Sequence, residues 1–202
     1  MSDRLLLATK NCGKIEEMRD LLRGLSRLTL LTHDDIPFAD VEETGVTFLA
    51  NALLKARAAS LETGLASLAE DAGLEVAALG GAPGVRSARF SGEPVDYART
   101  NALLLEKLRG VADRRGRFVA VTVLYLPGGR VFTTSGSLDG AIASEPRGEG
   151  GCGYDPVFGP VGETRTLAEF ALGEKNLVSH RRRALEAMIP TIEQLLAEGA
   201  LG

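Results

Sequence analysis

Cysteine is scarce in this chain of 202 residues, and its two thiols, Cys12 and Cys152, stand far apart with no CxxC partner. That pattern argues against a structural disulfide, and two thiols alone make no zinc site. Histidine is as rare, with two residues, so an imidazole-rich metal centre is not expected either. Long apolar runs are missing as well. Near the start the run Leu5–Ala8 covers four residues, whereas a signal-peptide core needs about seven or more and a membrane span about twenty. The expected setting is therefore the cytoplasm, with no membrane contact. Positive charge is not in excess, since 23 Lys and Arg face 27 Asp and Glu for a net charge of −4. A chain with no global basic field is not expected to hold nucleic acid. The one dense basic run is His180-Arg181-Arg182-Arg183.

What is present reads as one α/β domain over residues 1–202. LLLAT predicts a strand, KNCG a turn, and a helix begins near Lys14 with Ile15, Met18, Leu21, Leu22 and Leu25 as its apolar stripe. LTLLT at 28–32 is a second strand. The next helix turns Phe48, Leu49, Ala52, Leu53 and Ala56 inward, and Gly64 stops it. ASLAED at 66–71 reads as a short strand ending in two acids. Asp96 caps a helix from Tyr97 to Leu108. FVAVTVLYL and VFTTSG, joined by PGGR, form a hairpin. Thr166 and Glu169 have capping-box spacing. Ser179 caps a last helix with Leu185, Met188, Ile189, Ile192, Leu195 and Leu196 on its stripe and a kink at Pro190. The fold class is α/β, a two-lobed mixed sheet flanked by helices with a central substrate cleft.

Several segments carry chemistry. The stretch GEGGCGYDPVF at 148–158 fits G-x-G-x-x-G, but Pro156 and an apolar extended run follow it instead of a helix. That context is wrong for a dinucleotide turn. Glycines still let backbone approach a flat or charged ligand, and a plain hairpin tip is the competing reading. The turn ATKNCGK places Asn11, Gly13 and Lys14 at a helix start, which suits phosphate; a capped helix with a solvated lysine is the bland alternative. Glu42-Glu43 in a loop and Glu70-Asp71 at a strand end offer hard oxygen ligands of the kind Mg²⁺ takes, or else solvated surface acids. Lys55 follows Glu43 on a helix, and EKNLVSHRRR gathers cations at another helix start.

ATKNCGK, VEETGVTFLANALLKA, AEDAGLEVAALGGAPGVRSARFSG, GEGGCGYDPVF and EKNLVSHRRRAL occur in that order. The chain thereby resembles the Ham1-like inosine/xanthosine triphosphate pyrophosphatases from Leu5 to the last helix. The resemblance implies a homodimer that uses Mg²⁺ to cleave non-standard purine nucleoside triphosphates such as ITP, dITP and XTP to the monophosphate and pyrophosphate. It implies that Thr9, Lys10, Asn11, Cys12, Gly13 and Lys14 bind the triphosphate. Glu43 and Asp71, with Glu70 beside them, become the metal-site acids, and Asp71 takes the place of the catalytic base. Lys14 and Lys55 serve the phosphates catalytically. Cys152, Gly153, Tyr154 and Asp155, with Lys175, His180 and Arg181, hold the base.

The chain departs from that pattern in four places. Cys152 stands where many relatives have a phenylalanine that stacks on the base. Glu70 is one methylene longer than the usual aspartate, Ala72 lacks a hydroxyl that contacts substrate, and Lys10 replaces a small residue. The structurally similar Maf-like pyrophosphatases, acting on modified pyrimidine nucleotides, are the rival family; the glycine loop and the SHR segment argue against them.

Overall fold

The computed structural model describes residues 3–201, with Leu172 described by its backbone alone. The fold is α/β. Six strands lie in the order β2-β1-β3-β4-β5-β6, where β1 is Asp3–Leu7, β2 Leu28–Leu31, β3 Ser67–Val76, β4 Arg115–Tyr125, β5 Val131–Ile142 and β6 Phe158–Pro160. The helices are α1 Cys12–Leu22, α2 Phe48–Thr63, α3 Tyr97–Lys107, α4 Leu172–Val178 and α5 His180–Glu198. The chain divides into two compact units. One comprises Met1–Asp71, Ala120–Gly136 and Arg181–Gly202, the other Ala72–Val119 and Ser137–His180.

In the first unit β1 pairs in parallel with β2 on one side and β3 on the other, with Leu5 opposite Leu30 and Leu6 opposite Ser67. The chain leaves β1 through α1 to reach β2, then returns through α2 to the far side of β1. Crossovers departing in opposite directions make the carboxyl ends of β1 and β3 a topological switch point, where open α/β sheets leave room for ligand. Side chains alternate across the sheet. Leu5, Leu7 and Leu68 pack against Met18 and Leu22 of α1 and against Leu185, Met188, Ile192 and Leu195 of α5. Leu6, Ala8 and Ala69 face Ala52, Ala56 and Ala59 of α2.

The second unit gathers Leu74, Val76, Leu104, Leu108, Phe118, Leu138, Ile142 and Phe158 into its own core. There β6 runs antiparallel to β5, with Ala141 opposite Gly159. Phe118 and Phe158 meet with ring centroids 4.7 Å apart. Among the described residues no helix is long and apolar enough to cross a membrane.

The caps follow the local chemistry of the sequence. Asn11 Oδ1 accepts from Lys14 N at 3.0 Å, Asp96 Oδ1 accepts from Arg99 N at 2.9 Å, and Gly64 ends α2 at φ 72°. Three expectations change. β3 does not stop at Glu70-Asp71 but continues to Val76. Leu49 is exposed, because the buried stripe of α2 runs through Phe48, Ala52, Ala56 and Ala59 and leaves Leu49 on the helix flank. A short helix, α4, precedes α5. α5 contains Pro190 and runs to Glu198, its stripe held by core contacts on both sides of the proline.

Candidate active site

The turn Thr9–Lys14 leaves the carboxyl end of β1, and its geometry is set by short side chains. Thr9 Oγ1 accepts from Asn11 N at 3.2 Å, and Asn11 then caps α1, whose first residues are Cys12 and Gly13. Cys12 is exposed. Lys10 points away from the cap, pairing with Asp40 at 2.9 Å and lying 5.9 Å from the Phe38 ring centroid. Lys14 instead turns inward, its Nζ 3.3 Å from Glu70 Oε1.

Glu70 and Asp71 are consecutive on β3, so their carboxylates project to opposite faces. The Glu70 side chain has no exposed surface. Besides Lys14 it meets Arg181, whose Nε lies 3.0 Å from each of its oxygens, while Arg181 also holds Glu17 of α1. Burial works against the Arg181 charge, but Glu70 and then Glu17 outweigh it and hold the guanidinium above its usual range.

Asp71 faces α2. Its Oδ1 is 3.3 Å from Lys55 Nζ, and its Oδ2 accepts from Asn51 Nδ2 at 3.1 Å. The same ammonium meets Glu43 Oε1 at 2.6 Å. The first unit therefore brings Asp71, Glu43 and Lys55 together, and joins Glu70, Lys14 and Arg181 on the other face. Glu17 and Asn51 complete the two clusters and were not legible beforehand; each looks like an ordinary polar helix residue.

Whether a divalent cation suits these acids can be judged from the ammonium between them. Glu43 and Asp71 already converge on one positive atom, and both are hard oxygen donors. Across both clusters four carboxylates, Glu17, Glu43, Glu70 and Asp71, oppose three cations, Lys14, Lys55 and Arg181. The remaining negative charge favours a further cation. Among the described residues no three acidic, histidine or cysteine side chains form a complete cage. Mg²⁺ does not demand one, because it is commonly held by one or two carboxylates with water and substrate phosphates. The acids fit the ion.

The glycine loop belongs to the second unit and is organised by Asp155. Its buried Oδ2 accepts from Cys152 N at 2.7 Å and from Lys175 Nζ of α4 at 2.6 Å. Gly151, at φ 74°, passes so close to that carboxylate that a Cβ would collide with it. Gly153 O accepts from Asn101 Nδ2 of α3 at 3.0 Å. Tyr97, at the start of the same helix, lies against Gly153 and is 43% exposed. Burial, and then the charge of nearby Cys152, raises the Tyr97 phenol above its usual range. Asn101 and Tyr97 are further residues that sequence reasoning missed. The Tyr154 ring is buried, and its hydroxyl donates to Ser87 O at 2.8 Å, so at the loop surface Tyr154 offers backbone. Cys152 is exposed, and His180 stacks on Phe118 with centroids 4.9 Å apart. Ala72 opens the second unit at a half-buried position on β3.

Comparison with known proteins identifies the family. The Ham1 family model matches residues 5–191. A Mycobacterium tuberculosis protein named dITP/XTP pyrophosphatase is 52% identical over 197 residues, covering 95% of this chain and 96% of its own. A Ham1 protein from Coxiella burnetii superposes with a TM-score of 0.89 at 39% identity, covering 95% of this chain and 98% of its own. A nucleoside-triphosphatase, dITP/XTP pyrophosphatase, from Mycobacterium abscessus gives 0.80 at 43% identity, covering 94% of this chain and 99% of its own. With the family model matched over residues 5–191 and with relatives of this identity and coverage, the chain belongs to the Ham1 family.

Proposed function

We propose that the protein hydrolyses non-standard purine nucleoside triphosphates, ITP, dITP and XTP, to the monophosphate and pyrophosphate, and so cleanses the nucleotide pool. The observation that carries this reading is the convergence of Glu43 and Asp71 on Lys55 at β3, with the capped Thr9–Lys14 turn following the neighbouring strand β1. The names of the relatives support the substrate class.

In this mechanism Thr9–Gly13 and Lys14 receive the triphosphate at the start of α1, where unpaired N–H groups favour anions. Asp71, held at both oxygens, aims a water at the α-phosphorus and takes its proton. Lys14 and Lys55 offset the charge that develops on the departing pyrophosphate. Mg²⁺, held by Glu43 and Asp71, would supply electrostatic relief for the same phosphates. Glu70 keeps Lys14 and Arg181 in place from the opposite face.

The base is selected by the second unit's loop. Hypoxanthine and xanthine carry a 6-oxo acceptor where adenine carries an amino donor. The N–H groups of Gly153 and Tyr154 present donors to that edge, Asp155 fixes the loop through Cys152 N and Lys175, and the family resemblance adds His180 and Arg181 to the residues that hold the base. Adenine then leaves donor against donor, and each buried group without a partner costs about 1–3 kcal/mol. We further propose a cytoplasmic homodimer, as the family resemblance implies.

Pyrophosphate release from ITP, XTP, dITP, ATP, GTP and dTTP, with Mg²⁺ and with EDTA, tests the proposal. Fast, metal-dependent release confined to the 6-oxo non-standard purines is expected. Release mainly from pyrimidine or standard nucleotides would overturn the substrate class in favour of the Maf-like alternative, and metal-independent release would overturn the cofactor.

A further inference from the structure

Asn51 is only 1% exposed on α2, and both ends of its amide are engaged. Its Nδ2 donates to Asp71 Oδ2 at 3.1 Å, and its Oδ1 accepts from Gly45 N at 2.7 Å. Gly45 follows Glu43 by two residues. The backbone there leaves no room for a side chain, since a Cβ on Gly45 would come within 2.5 Å of Asn51 Oδ1 and 2.9 Å of Asn51 N. One helical turn after Asn51, Lys55 reaches Glu43 and Asp71 by charge.

Asparagine is matched to this position by chemistry. A carboxylate needs a donor and a backbone N–H needs an acceptor, and a primary amide presents one of each on a short, stiff stem. The Gly45 N–H fixes which end of the amide is oxygen. Aspartate would keep the bond to Gly45 but set a second carboxylate against Asp71. Leucine would satisfy neither partner. With Lys55 on one Asp71 oxygen and Asn51 on the other, the carboxylate is held in orientation as well as position.

We infer that Asn51, seated on Gly45, is a positioning residue that locks Asp71 and the Glu43-bearing loop into one unit for the hydrolysis. The inference rests on the reading of Asp71 as the group that handles the water. Groups that orient a ligand or a base from behind are typically worth about 10–100-fold in affinity or activity, and a misplacement of about 1 Å costs on the order of 10²-fold in rate.

Asn51→Asp, Asn51→Leu and Gly45→Ala should be compared with the wild type and with Asp71→Asn. The readouts are kcat, KM, Mn²⁺ affinity by electron paramagnetic resonance, and thermal midpoint. Asn51→Asp is expected to lower kcat about 10- to 100-fold while KM for ITP stays within about threefold, and to change Mn²⁺ affinity about tenfold. Gly45→Ala should produce the same kcat-led loss, and the double variant should lose less than the product of the two, because both act through one contact. A lowered thermal midpoint with unchanged kcat and Mn²⁺ affinity, or multiplicative losses in the double variant, would overturn the inference. Should Asn51→Leu fail to fold, the isosteric Asn51→Asp still decides. If Asp71→Asn abolishes turnover and Asn51→Asp leaves kcat unchanged, the positioning role alone is wrong. If Asp71→Asn is fully active, the mechanism beneath it is wrong. Were no triphosphate hydrolysed, unchanged Mn²⁺ affinity in Asn51→Asp would still reject the inference.

Discussion

Arg181 joins two carboxylates that lie far from it in sequence, Glu70 on β3 and Glu17 on α1. The Glu70 side chain has no exposed surface, so its charge depends on Arg181 and Lys14 for compensation. Breaking a buried pair by removing one partner typically costs about 3–5 kcal/mol, because the other charge stays behind. Arg181→Ala should therefore lower unfolding stability by that order in a denaturant titration, and removing Glu70 in the same chain should recover part of it. An Arg181→Ala protein as stable as the wild type would show that Lys14 alone compensates Glu70. Part of this centre was legible from sequence, and the reason is local. Asn11, Gly13 and Lys14 announce a helix start, and Glu43 and Asp71 stand in recognisable motifs. Glu17 and Asn51 announce nothing, since each owes its role to partners brought by the fold. Glu17 meets a residue 164 positions away.

At the scale of elements, charge misled where compensation was invisible. Two adjacent acids look like the end of a strand, yet β3 runs past them because cations from α1, α5 and α2 meet both faces. Caps were legible because they depend on a few neighbouring residues. The Thr166–Glu169 capping box forms as its spacing predicts, with Glu169 accepting from Thr166 N at 2.7 Å. That turn also supports the glycine loop, since Gly150 N donates to Ala168 O at 3.1 Å. Within the loop, Asp155 orients the Cys152 N–H and binds Lys175, a charge-assisted arrangement worth about 1.5–3 kcal/mol per bond. Asp155→Ala should raise KM for ITP about tenfold or more while kcat stays within about threefold. A fall in kcat at constant KM would move Asp155 from base recognition to the chemical step.

Across the whole molecule, the candidate groups divide by unit. The first holds the acids, the lysines and Cys12; the second holds the glycine loop and Cys152. Both thiols are exposed and serve as separate reporters. Inorganic pyrophosphate should slow alkylation of Cys12 and spare Cys152, whereas inosine should slow Cys152 and spare Cys12, as mass spectrometry of the two peptides would show. Equal rates under every condition would detach both thiols from the ligand. The net charge of −4 suits the proposal that anion binding is confined to a local turn.

The chain contains no tryptophan and three tyrosines. In optical terms it is dark wherever indole alone absorbs. Tyr97 is exposed against Gly153, while the ring of Tyr154 is buried in the core. An indole placed by Tyr97→Trp would be the sole emitter in that window, turning the glycine loop into its own fluorescent gauge of occupancy.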